Sequence, residues 1–365
     1  MAKASGVSPT TASLVLTGRG RDLRISHAAE HRVRSAAEEL GYRRDVGSGG
    51  TRKNRTRTIG LISDSIASSQ LAGDMVTGAV EAAGGRGFML FTGESGGDPD
   101  VERSLVEAMR DHRVDGIVLA SMCTRRVLVP EGLGDGPAVL LNALPVRPST
   151  LSSVLPDEVQ AGRSAARVLV DAGHREGIHL IGAGPGPGQV PPNSIAAVER
   201  LAGVREVLDA AGIAVAGRSC SDWTPENGYD ATRELLRRTT PTALLCFNDR
   251  LAFGAYQALA DAALSVPEDV SVMSFDDHPI ASWLRPRLST VVLPHHQLGA
   301  KAVEVLFAVA ERRGRPPGVA AVHRVPMPVH HGGSVRSFPV PRARGDARVE
   351  HVHNLAAVDP PIRSS

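Results

Sequence analysis

ALLCFNDRLAFGA, residues 243–255, opens on a continuous apolar run, turns at Asn248-Asp249 and continues with helical spacing. A strand that is apolar at consecutive positions is covered on both faces. The same unit recurs along the chain from Thr58 onward. TIGLIS (58–63), FMLFT (88–92), DGIVLA (115–120), PAVLLN (137–142), GIHLIG (177–182), ALLCFN (243–248) and VSVMSF (270–275) read as strands, with helical patterns near 72–86, 99–112, 157–173, 195–212, 226–238 and 249–264 between them. Such β-α-β alternation requires parallel sheets with helices on both sides. The strands fit two sheets of ordinary size better than one large one, so the expected architecture is α/β with two parallel-sheet lobes. A short strand, STVVLP (289–294), precedes the long helical pattern HHQLGAKAVEVLFAVAERR (295–313), which lets the chain cross back between lobes. After Val335 the sequence loses periodicity and is rich in Pro and Arg, so residues 336–365 read as a disordered tail.

The chain has 365 residues, 42% hydrophobic and 22% charged, a composition ordinary for a globular protein. No apolar run approaches the roughly 18 residues of a membrane span. MAKASGVSPT at the N-terminus has no apolar stretch after its lysine, so no secretory signal is read and a cytoplasmic location is expected. Cys123, Cys220 and Cys246 are far apart and form no C-x-x-C pair, which points to reduced thiols. The net charge of +2 conceals a division: residues 1–57 hold 12 Lys and Arg against 5 Asp and Glu, and residues 58–365 hold 29 against 34. A basic module on a mildly acidic body suits a phosphate-binding head on a sensor, although a solvated basic arm has the same balance.

Within that head, AKASGVSPTTASLVLTG (2–18) holds two short helical segments separated by Gly6, with Ser8 a suitable N-cap and Pro9 suited to the first helical position. HAAEHRVRSAAEEL (27–40) repeats Val33, Ala36, Ala37 and Leu40 at helical spacing and is closed by Gly41. Residues 1–42 therefore read as a helix-turn-helix unit whose second helix can enter a DNA major groove, with Ser8, Pro9, Thr10, Thr11 and Ser13 at the reading face. An ordinary three-helix cap fits the same pattern. Residues 43–57 form a basic linker in which Arg52, Lys53 and Arg55 can neutralise phosphates.

AKASGVSPTTAS followed by AAEELGY resembles the headpiece of the lactose-repressor family of transcription regulators. RTRTIGLISD (55–64), RVDGIV (113–118), DAGHR (171–175), FNDRLAFGA (247–255) and VPEDVSVMSFDD (266–277) are similar to that family in the same order. The resemblance implies a two-lobed, periplasmic-binding-protein-like sensor over residues 58–335, a homodimer on a double-stranded DNA operator, and a small ligand, most simply a sugar, that alters DNA affinity. It needs neither cofactor nor metal and implies no enzyme. Three positions depart from the family. Its first helix would be clipped at Met1, Leu14 stands where an Arg is common, and Thr51 stands where a hinge leucine would wedge into the minor groove.

The cleft between two such sheets collects strand C-terminal ends, where α/β folds bind ligands. Asn248 and Asp249 end one strand and Asp276 and Asp277 another, and amide and carboxylate groups there suit adjacent hydroxyls. By resemblance Arg200 and Asp276 grip the ligand and Trp223 stacks on it, with Asn142 and Asp64 facing from the other lobe. Asp249 is also a possible helix cap, Trp223 a hydrophobic staple before Thr224-Pro225, and Arg200 a surface charge.

Other motifs carry less. GESGG (93–97) has the spacing of a nucleophile elbow, yet the helix should start at Asp98-Pro99 and not at the serine. The loop GAGPGPG (182–188) has two prolines in place of phosphate-binding N–H groups. The pairs His295-His296 and His330-His331 lack the spacing that puts two metal ligands on one helix face. The alternative function is a cytoplasmic small-solute-binding protein with this sensor fold and impaired or no DNA binding.

Overall fold

The computed structural model describes residues 2–16, 25–39, 56–65, 72–186, 188–219, 222–311 and 320–337. In the head, α1 (Ala2–Ser5) and α2 (Pro9–Leu16) meet at Gly6, whose φ of +65° is one that glycine adopts without a Cβ clash. The Ser8 hydroxyl accepts the Thr11 N–H at 3.0 Å and so caps α2. Ala12 and Val15 on the inner face of α2 bury against Val33 of α3 (His27–Glu39), with Val7 and Ile25 closing the edge of this small core. Leu40 and Gly41, expected to finish α3, lie outside the described residues.

The first lobe begins with β1 (Thr58–Ser63), α4 (Ala72–Gly84), β2 (Met89–Glu94), α5 (Pro99–Asp111), β3 (Gly116–Val127), β4 (Ala138–Pro145) and β5 (Ser152–Pro156). The second contains α6 (Glu158–Asp171), β6 (Ile178–Gly182), α7 (Ile195–Ala210), β7 (Ala216–Ser219), α8 (Pro225–Leu236), β8 (Ala243–Cys246), α9 (Asp249–Asp261), β9 (Ser271–Asp276), α10 (Pro279–Trp283) and β10 (Ser289–Val292). The chain then returns to the first lobe as α11 (His295–Glu311) and β11 (Val322–Val325), and ends in the second with β12 (Val329–His330). The sheets are ordered β11-β5-β4-β3-β1-β2 and β12-β10-β9-β8-β6-β7, parallel throughout except for the β10/β12 pair. Three segments thus join the lobes, after β5, β10 and β11.

Burial follows the apolar runs. Leu244 and Leu245 on adjacent positions of β8 are both fully buried, so helices cover both faces, and each contributes about 1.5–3 kcal/mol of burial. In the first sheet, Met75, Leu298 and Leu306 of α4 and α11 pack on Leu61 and Val118, while Val106 and Met109 of α5 pack with Ile62 and Ile117 on the other side. The edge strand β2 differs: its Met89 and Phe91 stand exposed. Strands β5, β7, β11 and β12 go beyond what the sequence pattern indicates. The body starts by Thr56 and Arg57, which bond to the Arg113 carbonyl at 2.9 Å and the Asp115 carboxylate at 2.8 Å. It reaches one residue beyond the expected boundary, because the Arg336 N–H donates to the Ser271 hydroxyl at 3.0 Å. Most of the expected linker and tail lies outside the described residues. Among the described residues no helix is long and apolar enough to cross a membrane.

Candidate ligand cleft and DNA-reading helix

Arg200 is placed by a close helix pair. A Cβ at Gly162 of α6 would run into the Arg200 carbonyl, and one at Gly203 of α7 into the Val159 carbonyl, so only glycines allow α6 and α7 to approach this closely. The approach brings Arg200 beside Glu158 in the first turn of α6. Nε donates to one Glu158 oxygen at 2.6 Å and Nη2 to the other at 3.0 Å, a bidentate fork, while Nη2 also reaches Asp276 at 3.1 Å and Nη1 the Phe247 carbonyl at 2.6 Å. Phe275 lies 4.8 Å from the guanidinium carbon and Trp223 5.7 Å, both within cation–π range. Burial would depress the Arg200 pKa, but the Glu158 and Asp276 carboxylates outweigh it and raise it. Burial raises the Glu158 pKa against the pull of the Arg200 charge. Because a guanidinium does not deprotonate in a protein, the pair is held as ions by its geometry.

Arg200, Trp223, Asn248, Asp276 and His278 of the second lobe face Met122, Thr124 and Asn142 of the first across a cavity of about 800 Å³, with His295 at the first residue of α11. That volume suits a small organic ligand. Asn248 is tied at both ends of its amide: Oδ1 accepts the Leu251 N–H at 2.8 Å as the N-cap of α9, and Nδ2 donates to the Trp223 carbonyl at 3.2 Å. Trp223 stacks edge-on against Phe247, and its indole N–H donates to the Gly182 carbonyl at 3.0 Å. Thr224 and Pro225 do begin α8, but the fourth helical residue is Gly228, which offers a staple no side chain. Trp223 instead presents its ring to the cavity.

Three of the expected cleft residues, Asp249, Asp64 and Asp277, are not among the side chains that line it. Asp249 is fully buried at the start of α9, where it accepts the His278 N–H at 2.7 Å and the Thr290 hydroxyl at 2.8 Å. Burial, with the nearby Asp276 charge, pushes its carboxyl up to about 8. It braces β10 and the His278 turn behind the cleft, and Asn248 rather than Asp249 is the cap. Asp64 accepts the Met122 N–H at 3.0 Å and Arg125 at 3.1 Å, which fixes the β3 segment whose Met122 and Thr124 do line the cavity. Asp277 turns away to His330 at 3.1 Å.

The cavity also contains groups that the sequence did not mark as cleft residues. Glu158 is one, His278 and His295 are others. The His278 Nδ1 accepts the Ile280 N–H at 3.2 Å, an assignment that leaves the proton on Nε2. Burial lowers the pKa of both histidines. His295 is buried with neither ring nitrogen hydrogen-bonded, and Asn142 Oδ1 is likewise buried without a partner. Asn142 also carries a φ of +53°, uncommon for a residue with a Cβ. An unpaired buried polar group costs about 1–3 kcal/mol, and such costs cluster where a ligand completes the bonding.

On the head, Ser8 ahead of α2 and Pro9, Thr10 and Ser13 within it are exposed, and Thr11 is half-buried. Ser8 is committed as the cap. Arg52, Lys53 and Arg55 lie outside the described residues. Ser95 is buried ahead of α5, whose cap is Asp98, so the GESGG segment does not start a helix at its serine. In the glycine-rich loop the Gly184 and Gly186 N–H groups donate to Gln189 at 2.7 and 3.1 Å. Among the described residues there is no group of three or more His, Cys, Asp or Glu placed to hold a metal.

A helix-turn-helix head on two parallel-sheet lobes that enclose a polar cavity defines the class of bacterial regulators with a small-ligand sensor. The chain belongs to the lacI family: residues 1–45 match the bacterial regulatory proteins of that family, and residues 56–323 match the periplasmic binding proteins and sugar binding domain of the LacI family. The HTH-type transcriptional regulator AscG of Escherichia coli K12 is 31% identical over 304 residues, 80% of this chain and 86% of that protein. The ribose operon repressor of the same organism is 28% identical over 356 residues, 95% of this chain and 98% of the repressor. A solved complex of the transcriptional regulator CelR with cellobiose is 27% identical with a TM-score of 0.60, and the match covers 91% of this chain and 98% of that one.

Proposed function

We propose that this chain is a repressor that binds operator DNA as a homodimer and whose DNA affinity is set by a small polar ligand, a sugar by class, held between its lobes. The observation that carries the reading is the cavity itself, walled by Arg200, Asp276 and Trp223 from one lobe and Asn142 from the other, on a chain whose α2 exposes Thr10 and Ser13. The ribose operon repressor and the cellobiose-bound CelR support the sugar class. In this reading residues 1–42 read DNA, 43–57 carry the phosphate contacts of Arg52, Lys53 and Arg55, and 58–335 sense the ligand and dimerise. Acting on DNA places the protein in the cytoplasm. A two-fold dimer matches two half-sites in the operator. A ligand that bridges both walls binds the closed arrangement better than the open one and so shifts the population toward it, which is the only way it can alter affinity at the head.

The test begins with operator duplexes selected from random DNA by the full chain, followed by anisotropy titrations with and without a panel of sugars. The effective sugar should move the operator affinity of the wild type, whereas Arg200→Ala and Asp276→Ala should lose the response and keep ligand-free DNA affinity within a few-fold. Loss of a buried charged partner should cost about 2–5 kcal/mol of ligand binding. Unchanged sugar responses in both variants would remove the site, and a chain with no selected operator would favour a solute-binding protein without DNA activity.

A further inference from the structure

Most buried polar groups on the cavity wall are already paired. Arg200 spends its guanidinium on Glu158, Asp276 and the Phe247 carbonyl, Asn248 on Leu251 and the Trp223 carbonyl, and Trp223 on the Gly182 carbonyl. Unspent capacity is found at the opposite side: both ring nitrogens of His295 and the Asn142 Oδ1 are buried without partners. His295 is 5% exposed, so bulk water does not serve it. Its backbone N–H is bonded to the Leu293 carbonyl at 2.8 Å, which fixes the residue's backbone at the helix start. The charged groups that face it are Asp276 from β9, Asp74 from α4 and Arg200 from α7, and burial favours the uncharged ring. A neutral imidazole has one donor and one acceptor on different sides of the ring, and hydroxyl groups, each able to donate or to accept, are the small functions that can answer either nitrogen. A carboxylate or an ionised phosphate oxygen can answer only the donor, and the buried Arg200 that would otherwise attract it is already neutralised by Glu158 and Asp276, which leaves the exposed Arg250 as the other guanidinium of the lining.

We propose that His295 is a specificity-determining residue of the cleft, which pairs with a hydroxyl of an uncharged polyol and selects against ligands bearing an anionic group at that end. The inference rests on the ligand-cleft reading above. The ring acts alongside Asn142, whose Oδ1 takes a hydroxyl proton, so the wall of the first lobe reads hydroxyls while the second lobe supplies Trp223 and the Arg200 cluster.

The experiment is isothermal titration of the full chain at neutral pH with D-ribose, D-xylose, D-glucose and cellobiose, with the anions D-gluconate and D-ribose 5-phosphate, and with hypoxanthine as a neutral base without hydroxyls. Wild type, His295→Phe and His295→Gln are compared. At least one neutral sugar should bind the wild type, lose about tenfold or more in affinity in His295→Phe, and stay within about threefold in His295→Gln, which restores a donor and an acceptor. The thermal midpoint of His295→Phe should not fall, since the change removes two unpaired polar atoms and keeps an aromatic ring. Equal sugar affinity in His295→Phe, tighter binding of either anion, binding of hypoxanthine alone, or no binding by any probe overturns the assignment. The two readings separate cleanly: an anion that binds and alters operator affinity defeats the role of His295 and leaves the regulator standing. A sugar that binds with the expected dependence on His295 and leaves operator affinity unmoved does the reverse.

Discussion

Glu158→Ala is the most informative single change in the second lobe. The side chains of Glu158 and Arg200 are 1% and 3% exposed and share two hydrogen bonds, so alanine leaves a buried guanidinium facing a void. Removing one partner of a buried ion pair costs about 3–5 kcal/mol. Asp276 offsets part of this, but through one bond of 3.1 Å and with its carboxylate 18% exposed, so the expected loss is about 3 kcal/mol. Glu158→Gln keeps one acceptor and should lose about half as much. The double change Glu158→Leu with Arg200→Leu removes both charges together and should be more stable than either single change predicts, with a coupling of about 2 kcal/mol or more. Urea unfolding followed by tryptophan fluorescence, to which Trp223 of this cluster contributes, reads the wild type, the two Glu158 variants, the double change and its two single leucine changes. A Glu158→Ala loss under about 0.5 kcal/mol, or strict additivity in the cycle, would refute the argument that this pair anchors α6 to α7.

Ser8 separates capping from DNA contact: Ser8→Ala should destabilise the head by about 1 kcal/mol, whereas Ser8→Asp keeps the cap and places a negative charge at the DNA-facing end, so melting should hold while operator affinity falls. The Asp249 carboxyl is pushed up to about 8 in the folded chain from an ordinary 3.8, so the folded state binds more protons between those values and stability falls as pH rises through that window. Asp249→Asn should flatten that part of the slope, measured as urea midpoints at several pH values; an unchanged slope would show that the carboxyl is ionised in the fold. Residues 58–335 alone should sediment as dimers at micromolar concentration, and monomers there would place dimerisation elsewhere. Changing Arg52, Lys53 and Arg55 together to Ser should reduce the slope of log affinity against log salt by about 0.9 for each phosphate no longer neutralised, with little change in operator preference.

The β-α-β order and the two lobes are legible because consecutive burial leaves a plain mark: Leu244 and Leu245, or Ile59 to Ile62 around Gly60, cannot belong to a strand with one wet face. Strands at or near the sheet edges carry no such mark. VHRV of β11 exposes Val322 and holds its place by pairing with β5, and β12 is two residues long. Trp223, Asn248, Asp276, Arg200 and Asn142 are readable as cleft residues because strand ends and family resemblance point to the same positions. Glu158 is not, since an acid beside Asp157, whose carboxylate caps α6 by accepting the Gln160 N–H, looks like any helix-start carboxylate until α7 brings Arg200 against it. His295 is hidden for a similar reason: an adjacent histidine pair in a sequence raises only the question of a metal, and the significance of this ring comes from what the fold withholds from it. Asp249 reads the same from sequence whether it faces a ligand or braces a turn, and only the position of Thr290 decides.

The return of the chain to the first lobe has a consequence for synthesis. Met75, Leu61 and Val118 are covered by Leu298 and Leu306, and the outer strand beyond β5 is β11, so the first lobe is completed by residues that emerge last. Between β5 and α11 the ribosome must make all of residues 157–294, which at roughly 5–20 residues per second takes about seven to thirty seconds. Through that interval the nascent sheet holds out a bare apolar face and an open edge at β5. The second lobe, by contrast, lacks only its closing segment, from Met327 in its core through β12 to Ser334 and Arg336, which bond Ser289, Val272 and Ser271, so a chain stopped before α11 should yield a C-terminal lobe missing that one segment, attached to an aggregation-prone half-sheet.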